Sequence, residues 1–321
     1  MEKTACIFVA GAQTFIGNAI QHALTLQSYQ NVVTESDAAL DLTRHDDVEA
    51  FFKANRPEFV FCAAGKSGGI AANMKYPADF MLDNVLSTTH VLDCAHRYAV
   101  KKLLYLASAC CYPRHCPQPM KPDALFQGAV EPTNEAYAMA KRAGIALCQA
   151  YRQQYECPFV VGIPANPFGP GDHFDPENSH VVAALILKLH AGRQHKTPAV
   201  TLWGSGQPRR DFIYIDDLAQ GCLFVMEHYD GSDPINIGGM TDISIAELAE
   251  AIRKTVGYIG NIVFDTSHPD GMPIKCLDTS PLQALGWKPS TSIQEGLAKT
   301  YQWYSTRKTA PATGGAMPST R

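Results

Sequence analysis

Along the first half of the chain, short apolar runs alternate with longer stretches in which apolar residues recur at helical spacing. The apolar runs predict β-strands at Cys6–Ala10, Asn31–Thr34, Phe59–Ala63, Leu103–Ser108 and Phe159–Ile163. The stretches between them predict helices near Ile16–Leu26, Asp46–Ala54, Ala78–Tyr98 and Asn134–Tyr155. Because this alternation is typical of βαβ units, it predicts an α/β fold with a doubly wound parallel sheet of the Rossmann kind.

The pattern changes after Asn166, where a loop rich in Gly, Pro, Asp and Asn begins. Further strands are predicted at Val200–Trp203, Phe212–Ile215 and Pro234–Ile237, and further helices at Val181–His190, Asp217–Tyr229 and Ile293–Tyr304. Ser244 with Glu247 three residues on indicates a capping box. We therefore predict a dinucleotide-binding domain over 1–165, to which 212–238 returns, a smaller C-terminal α/β substrate domain over 166–305, and a disordered tail over 306–321.

Composition and charge narrow the function classes. A net charge of -4 shows no basic excess, so nucleic acid is not expected as a partner. The N-terminal apolar stretch is too short for a membrane span and lacks a signal-cleavage pattern, so we expect a cytoplasmic protein with no membrane partner. The ten cysteines are scattered, mostly inside apolar runs, without metal-ligand spacing, and no metal site is predicted.

The residues that suggest chemistry are Tyr137, Lys141 and Ser108. One helical turn separates the tyrosine from the lysine, so both side chains leave the same face of a helix. A cation beneath the phenol is expected to lower the pKa of Tyr137, and the Ser108 hydroxyl can hold a carbonyl oxygen against it. A core tyrosine beside a solvated lysine has the same spacing, so the neighbouring motifs must decide.

The first predicted strand leads into a glycine-containing turn, Gly11 to Gly17, that opens a helix. Such turns let a pyrophosphate approach backbone amides at a helix N-terminus. Thr14 replaces the usual middle glycine, so an ordinary tight turn is the alternative. At the end of the second strand the sequence Thr34-Glu35-Ser36-Asp37 contains no arginine.

With these features together, the chain resembles the extended short-chain dehydrogenase/reductases, and further segments resemble the GDP-L-fucose synthase family. The segments are LASACCYP, AAGKSGGIAANMKYPADF, EPTNEAYAMAK, NPFGPGDHFDPENSH, LWGSGQPRRDFIYIDDLA and LGWKPS, in this order, and the resemblance covers nearly all of residues 5–304. The family converts GDP-4-keto-6-deoxymannose into GDP-L-fucose by 3,5-epimerisation and 4-reduction.

The resemblance implies roles for five catalytic residues. Cys110 and His180 are then the base and acid that invert C3 and C5, since a proton next to a ketone is acidic. Tyr137 is the proton donor to O4, Lys141 lowers its pKa and binds the nicotinamide ribose, and Ser108 holds O4. Without the resemblance, Cys110 is equally a buried spacer and His180 a helix cap.

The resemblance also implies two sets of binding residues. Cofactor contacts are expected from Gly11, Thr14, Phe15, Ile16, Gly17, Asp41, Leu42, Ala63, Ala64, Lys141, Pro164 and Asn166. Substrate contacts are expected from Asn166, Val181, Leu185, Lys188, Trp203, Arg210 and Lys275. Among the substrate set, the three cations are candidates for the diphosphate and sugar, although Lys188 is equally a solvated helix residue. Arg209 is interpreted as a surface charge.

The cofactor is NADP(H) by resemblance, but the residues leave NAD(H) open. The family carries arginines that grip the 2′-phosphate, and this chain has Gln13 and Ser36 near those places. Glu35 or Asp37 can accept a bond from a free 2′-hydroxyl and repel a phosphate. NAD(H) is therefore the alternative cofactor.

Other functions stay open beside the leading hypothesis. One is a C4 reductase or 4-epimerase acting on another GDP-sugar or GDP-heptose without inversion at C3 and C5. A non-catalytic nucleotide sensor is another, disfavoured by the intact Ser108, Tyr137 and Lys141 set. A sugar dehydratase is disfavoured because Ala109-Cys110 stands where dehydratases carry Asp-Glu. A homodimer through the helices near Ala78–Tyr98 and Asn134–Tyr155 is also expected.

Overall fold

The computed structural model describes residues 1–35, 40–175, 179–240, 242–268 and 270–309. In chain order the strands are β1 (Cys6–Ala10), β2 (Asn31–Thr34), β3 (Phe59–Cys62), β4 (Lys102–Leu106), β5 (Phe159–Pro164), β6 (Asn166–Phe168), β7 (Ala199–Trp203), β8 (Arg209–Tyr214), β9 (Ile235–Ile237), β10 (Asp242–Ser244), β11 (Asn261–Asp265) and β12 (Ile274–Lys275). The helices are α1 (Phe15–Leu26), α2 (His45–Asn55), α3 (Ile70–Lys75), α4 (Pro77–Arg97), α5 (Glu135–Tyr155), α6 (Val181–His195), α7 (Ile215–His228), α8 (Ile245–Val256), α9 (Ser280–Ala284) and α10 (Ile293–Thr309).

The main sheet carries the dinucleotide-binding architecture. Within the described residues it has six strands in the order β2-β1-β3-β4-β5-β9, all parallel to their neighbours. The central strands β1, β4 and β5 are buried throughout, as expected for a sheet covered by helices on both faces. The predicted doubly wound parallel sheet is therefore confirmed.

A second group of strands lies beside this sheet. β8 pairs with β10, β12 and β6, and β7 pairs with β11. The prediction that 212–238 returns to the first sheet needs correction for β8, which belongs to the second group, whereas β9 does join the main sheet. Ile213 of β8 belongs to the larger core and its neighbours Phe212 and Tyr214 to a smaller one, because successive side chains point to opposite faces of a strand.

The two cores support the proposed division of the chain, which stays a prediction. The larger one is formed by the main sheet with α1, α2, α4, α5 and α7, and the smaller one by α6, α8, α10 and the strands near them. α10 continues to Thr309, so the start of the predicted disordered tail at 306 was placed too early. Residues 310–321 lie outside the described residues.

Several predictions about local structure can be compared directly with the observed helices and strands. Ser244 caps α8, with both hydrogen bonds of the capping box to Glu247 present at 2.8 and 3.1 Å. The strands β6, β10 and β12 were missed, because two or three residues give too little periodicity to recognise, and the longer β11 was missed as well. No helix in the described part of the chain combines the length and the apolarity that a bilayer crossing requires.

Candidate active site

A cavity of about 810 Å³ lies at the carboxyl ends of β1, β3, β4 and β5, where ligands bind in open parallel sheets. The start of α1, the loop after β4 and the start of α6 all contribute to its lining. Predicted site residues that line it are Thr14, Phe15, Ile16, Ala63, Ala64, Ser108, Cys110, Tyr137, Lys141, Pro164, Asn166, His180, Val181, Lys188, Trp203 and Lys275.

The glycine turn at the start of α1 has the features of a diphosphate site. Gly11 has φ +89°, and a Cβ there would lie 2.6 Å from the backbone of Ala63. The Thr14 hydroxyl accepts a hydrogen bond from Gly17 N at 3.1 Å and so caps the helix. α1 carries no acidic residue in its first turn, so the helix itself places no carboxylate against an anion at its positive end. The residues present therefore fit a dinucleotide.

Glu35 is buried at the end of β2 and contacts the same turn. Its carboxylate accepts hydrogen bonds from Gly11 N and Gln13 N, each at 3.1 Å. The sequence suggested Glu35 as a ribose contact but gave no sign that it also holds the turn, because this contact joins residues more than twenty positions apart. Ser36 and Asp37 lie outside the described residues.

Asp41 and Leu42 do not join this site among the described side chains. The Asp41 carboxylate instead accepts hydrogen bonds from the backbone N–H and the hydroxyl of Thr43, at 2.9 and 2.7 Å. These bonds lower the pKa of Asp41. Leu42 packs partly buried against the larger core. Both were predicted to contact the cofactor, and neither lines the cavity.

Tyr137 and Lys141 line the cavity from one face of α5, as the four-residue spacing predicts. The Lys141 ammonium is buried and donates to the carbonyl oxygens of Ala64 and Leu106, both at 3.2 Å. Burial raises the pKa of Tyr137 above its ordinary value, and the hydrogen bond with Ser108 opposes this only in part. The Lys141 ammonium is directed to two carbonyls, and its predicted effect on the pKa of Tyr137 stays a prediction.

Cys110 lies in a short 3-10 turn after β4 and receives two side-chain hydrogen bonds. Lys275 Nζ donates to its sulfur at 3.2 Å, and Asn134 Nδ2 donates at 3.1 Å. Burial acts to raise the pKa of the Cys110 thiol, but the charge of Lys275 and the hydrogen bonds outweigh burial and lower it. Asn134 was not predicted, although it lies within the quoted segment EPTNEAYAMAK.

His180 directly precedes α6 and lines the cavity. Its Nδ1 lies 3.0 Å from Oδ1 of Asp172, a carboxylate that is buried. Burial acts to lower the pKa of His180, but the hydrogen bond and the negative charge of Asp172 outweigh burial and raise it. Asp172 was missed, because an aspartate in a loop of mixed polar residues gives no sign of its partner.

Two of the predicted substrate residues, Lys188 and Trp203, lie close together in the lining of the cavity. Lys188 Nζ lies 5.2 Å above the Trp203 ring, and that ring stacks on His268 at 4.3 Å. Trp203 is 62% exposed, so an aromatic surface is available at the cavity mouth. Lys188 lies in the cavity wall rather than on a distant solvated face.

Two predicted substrate residues are placed elsewhere. Leu185 is buried in the smaller core, and in the described chain it does not line the cavity. Arg210 also lies outside the described cavity wall, donates to the Arg209 carbonyl at 2.8 Å, and has its pKa lowered by burial. Arg209 is fixed by ion pairs with Asp242 and Glu247.

The loop after β3 was missed as part of the site. Residues Gly65, Lys66, Ser67, Gly68 and Gly69 line the cavity, followed by Ile70, Ala71 and Asn73 of α3. The Asn73 amide donates to the carbonyls of Gly68 and Gly69 at 2.9 and 3.0 Å. The glycine-rich segment was a sequence signal, since it is one of those that resemble the family.

Away from the cavity, His45, Asp93 and Cys94 have their ligand atoms within 4.8 Å of one another. Arg97 lies 3.5 Å from the His45 ring and 3.7 Å from the Asp93 carboxylate. Burial raises the pKa of Cys94 to about 12, so its thiolate is disfavoured. This arrangement does not fit a metal ion, because a guanidinium already neutralises the carboxylate.

The chain is similar in sequence to known proteins. Residues 7–238 match the NAD dependent epimerase/dehydratase family. A protein described as "Putative GDP-L-fucose synthase 2" from Arabidopsis thaliana is 46% identical over 304 residues, which are 95% of this chain and 93% of that protein. The GDP-L-fucose synthase of Escherichia coli strain K12 is 42% identical over 307 residues, covering 93% of this chain and 96% of the relative.

Two solved structures are similar over almost the whole chain. A GDP-L-fucose synthetase from Naegleria fowleri bound to NADP has a TM-score of 0.88 at 30% identity, covering 97% of this chain and 96% of that one. A GDP-6-OMe-4-keto-L-xylo-heptose reductase from C. jejuni has a TM-score of 0.90 at 31% identity, covering 96% and 99%. The likeness therefore includes proteins with two different GDP-sugar activities.

Proposed function

The chain belongs to the NAD dependent epimerase/dehydratase family, and from that premise we propose that it catalyses two reactions on a GDP-4-keto-6-deoxy-hexose. It inverts C3 and C5 and then reduces C4 with a nicotinamide cofactor, giving GDP-L-fucose or a close relative. The observation that carries this proposal is the presence of three proton-transfer groups in one cavity, Cys110, His180 and Tyr137. A simple reductase needs only the last of them.

The inversion is assigned to Cys110 and His180. The Cys110 thiolate removes the proton from the carbon next to the ketone, giving a thiol and an enolate. His180, protonated and held by Asp172, returns a proton to the opposite face, and the carbon is then inverted. The directions of the two pKa shifts favour the thiolate and the imidazolium that this step requires.

The reduction is assigned to Tyr137, Ser108 and Lys141. When the cofactor is bound, its nicotinamide supplies a hydride to C4. Tyr137 carries its proton at neutral pH, since its pKa lies above the ordinary value, and it is therefore assigned as the group that protonates O4. Ser108 holds O4, and Lys141 lies where a nicotinamide ribose is expected, in contact with the ends of β3 and β4.

NADH is the cofactor that Glu35 favours. Its carboxylate lies against Gly11 N and Gln13 N, at the strand end where an acidic side chain accepts a bond from a free 2′-hydroxyl. The same charge repels a 2′-phosphate, and Gln13 supplies no opposing cation. The ratio of kcat/KM for NADH to that for NADPH tests this, and a ratio below one contradicts it.

Isotope exchange tests the inversion directly. Incubation of the protein with GDP-4-keto-6-deoxymannose and oxidised cofactor in D₂O is expected to place deuterium at C3 and C5, as read by NMR. A protein with Cys110→Ser serves as the control, since it keeps the cavity but not the base. If the wild type introduces no deuterium, the epimerase assignment is wrong.

The alternative is a C4 reductase acting on another GDP-sugar or GDP-heptose. Its support is the likeness to the C. jejuni heptose reductase. Under this alternative, the wild type oxidises NAD(P)H with a 4-keto heptose, and Cys110→Ser leaves the product stereochemistry unchanged. Product analysis by NMR separates the two functions.

A homodimer is proposed through α4 and α5. Met81 and Leu82 on α4 and Met139 on α5 are large apolar side chains with 42–58% exposure, and the two helices pack side by side. Light scattering after size exclusion is expected to give twice the monomer mass, and Leu82→Glu is expected to give a monomer. Leu26→Glu, on the exposed part of α1, is the matched control.

A cytoplasmic location is proposed on the cysteines. All ten lie within the described residues, and none of them is in a disulfide there. Free thiols are usual in a reducing compartment. Fractionation of cells followed by immunoblotting tests the location.

A further inference from the structure

Lys275 lines the cavity, and its ammonium also contacts the sulfur of Cys110, the proposed base. It is the last residue of β12, which pairs with β8 in the second group of strands. Its ammonium donates a hydrogen bond to the sulfur of Cys110. The 3.2 Å distance between Nζ and Sγ is within the range of a charge-assisted contact to sulfur. The resemblance to the GDP-L-fucose synthases implied a different partner for this lysine, the diphosphate or sugar.

Asn134 completes the environment of the sulfur. Its Nδ2 donates at 3.1 Å from the turn that precedes α5, while Ser108 accepts the backbone N–H of Cys110 at 3.2 Å. Two side-chain N–H groups therefore point at one half-buried sulfur. Donors of this kind stabilise the charged form of an acceptor more than its neutral form.

We propose that Lys275, assisted by Asn134, holds Cys110 as a thiolate in the resting protein, so that Lys275 is a positioning residue for the base of the inversion. The proposal rests on the proposed function only in naming Cys110 as that base. The titration of the thiol itself is a property of the folded protein without substrate. It is therefore measured separately from catalysis.

Other charged groups act on the same sulfur and are included in this reasoning. Burial lowers the pKa of Arg210, and the Cys110 charge opposes this only in part. The same charge adds to the effect of Asp172 in raising the pKa of His180, and to that of burial in raising the pKa of Tyr137. Lys275 differs from these because it alone among the charged described residues has a hydrogen bond to the Cys110 sulfur. Removing its charge is therefore expected to have the largest effect on the thiol.

The test is the pH dependence of Cys110 alkylation. Iodoacetamide labelling is followed by peptide mass spectrometry, which separates Cys110 from the other thiols. In the wild type the midpoint is expected below that of an ordinary cysteine, about 8.5. Lys275→Met is expected to raise the midpoint by about 1–3 pH units, since an opposite charge at this distance shifts a pKa by that amount.

Three variants serve as comparisons. Lys275→Arg keeps the charge and is expected to restore most of the shift, while Asn134→Ala is expected to raise the midpoint by less than Lys275→Met. Lys188→Met removes another cavity cation with no contact to the sulfur and is expected to leave the midpoint unchanged. Circular dichroism checks that each variant is folded.

Two results overturn the proposal. One is a wild-type midpoint at or above the ordinary value, a measurement that needs no variant. The other is a folded Lys275→Met protein with an unchanged midpoint and a raised KM, which makes Lys275 a substrate contact only. If the midpoint shifts as expected but C3 and C5 take up no deuterium, the proposed function fails and the thiolate assignment stands.

Discussion

Tyr137 and Cys110 line one cavity and are both partly buried, yet the pKa of the phenol is raised and that of the thiol is lowered. The two residues differ in where the ammonium of a lysine in the same cavity points. Lys141 is four residues from Tyr137 but donates to two backbone carbonyls, whereas Lys275 is far away in sequence and donates to the sulfur. Burial favours the protonated tyrosine, and a directed cation favours the ionised cysteine.

From this contrast we assign the reduction at C4 to the environment of Tyr137, and the inversion at C3 and C5 to the environment of Cys110. An acid that stays protonated suits the delivery of a proton to O4, and a base that stays ionised suits the removal of a proton from carbon. We therefore predict that one substitution can abolish the 4-reduction and another the 3,5-epimerisation, each without the loss of the other activity.

Tyr137→Phe is expected to have the largest effect. Loss of the acid should reduce the rate of 4-reduction by about 10²–10⁴-fold, because general acid catalysis contributes this much. Deuterium exchange at C3 and C5 should continue, since Cys110 and His180 are intact. NAD(P)H oxidation and NMR exchange on the same preparation measure both, and equal loss of the two activities would contradict the separation.

Cys110→Ser should produce the opposite pattern, with a loss of exchange of about 10²–10³-fold. A serine hydroxyl is too weak an acid to supply the anion at neutral pH. Reduction of a 4-keto sugar that has already been inverted should be kept, and it serves as the internal control. Cys116→Ser, a thiol outside the described cavity wall, is the matched control for exchange. Exchange at the wild-type rate would remove Cys110 from the mechanism.

Asp172→Asn should sharpen the comparison through pH. The rate of exchange is expected to give a bell-shaped pH profile, because exchange requires the Cys110 thiolate and the His180 imidazolium at the same time. Asp172 raises the pKa of His180, so without its charge less imidazolium is present above that pKa and exchange is slower there. A decrease of one unit in the pKa costs about tenfold in imidazolium. A profile of exchange against pH measures this, and a profile identical to that of the wild type would contradict it.

Glu35→Gln should have the smallest effect and act on the reduction only. Removal of the carboxylate charge is expected to shift the NADH to NADPH ratio of kcat/KM about tenfold towards NADPH, or about 1.4 kcal/mol. The matched control is Glu58→Gln, whose carboxylate accepts from Cys6 N at the opposite end of β1. A ratio that both variants leave unchanged would mean that Glu35 only holds the turn.

The sequence determined the main sheet, because its buried strands are continuous apolar runs. Such runs predict strands without any knowledge of the tertiary contacts. β1 and β2 match their predicted bounds, and the Tyr137 and Lys141 spacing placed both side chains in one cavity. Shorter strands such as β12 have too few residues to carry a pattern. The placement of Leu185 was wrong because helical spacing does not tell which side of α6 meets the smaller core.

Only the tertiary structure decided how the proton-transfer groups are tuned. The contacts of Lys275 with Cys110, of Asp172 with His180, and of Glu35 with Gly11 join residues that no local pattern connects. A pKa depends on distances of a few ångströms to charges and on exclusion from water, and both arise when separate strands and loops meet. The sequence by itself identified the chemical groups of the site. The packing of separate strands and loops against each other set the charge that each of these chemical groups carries.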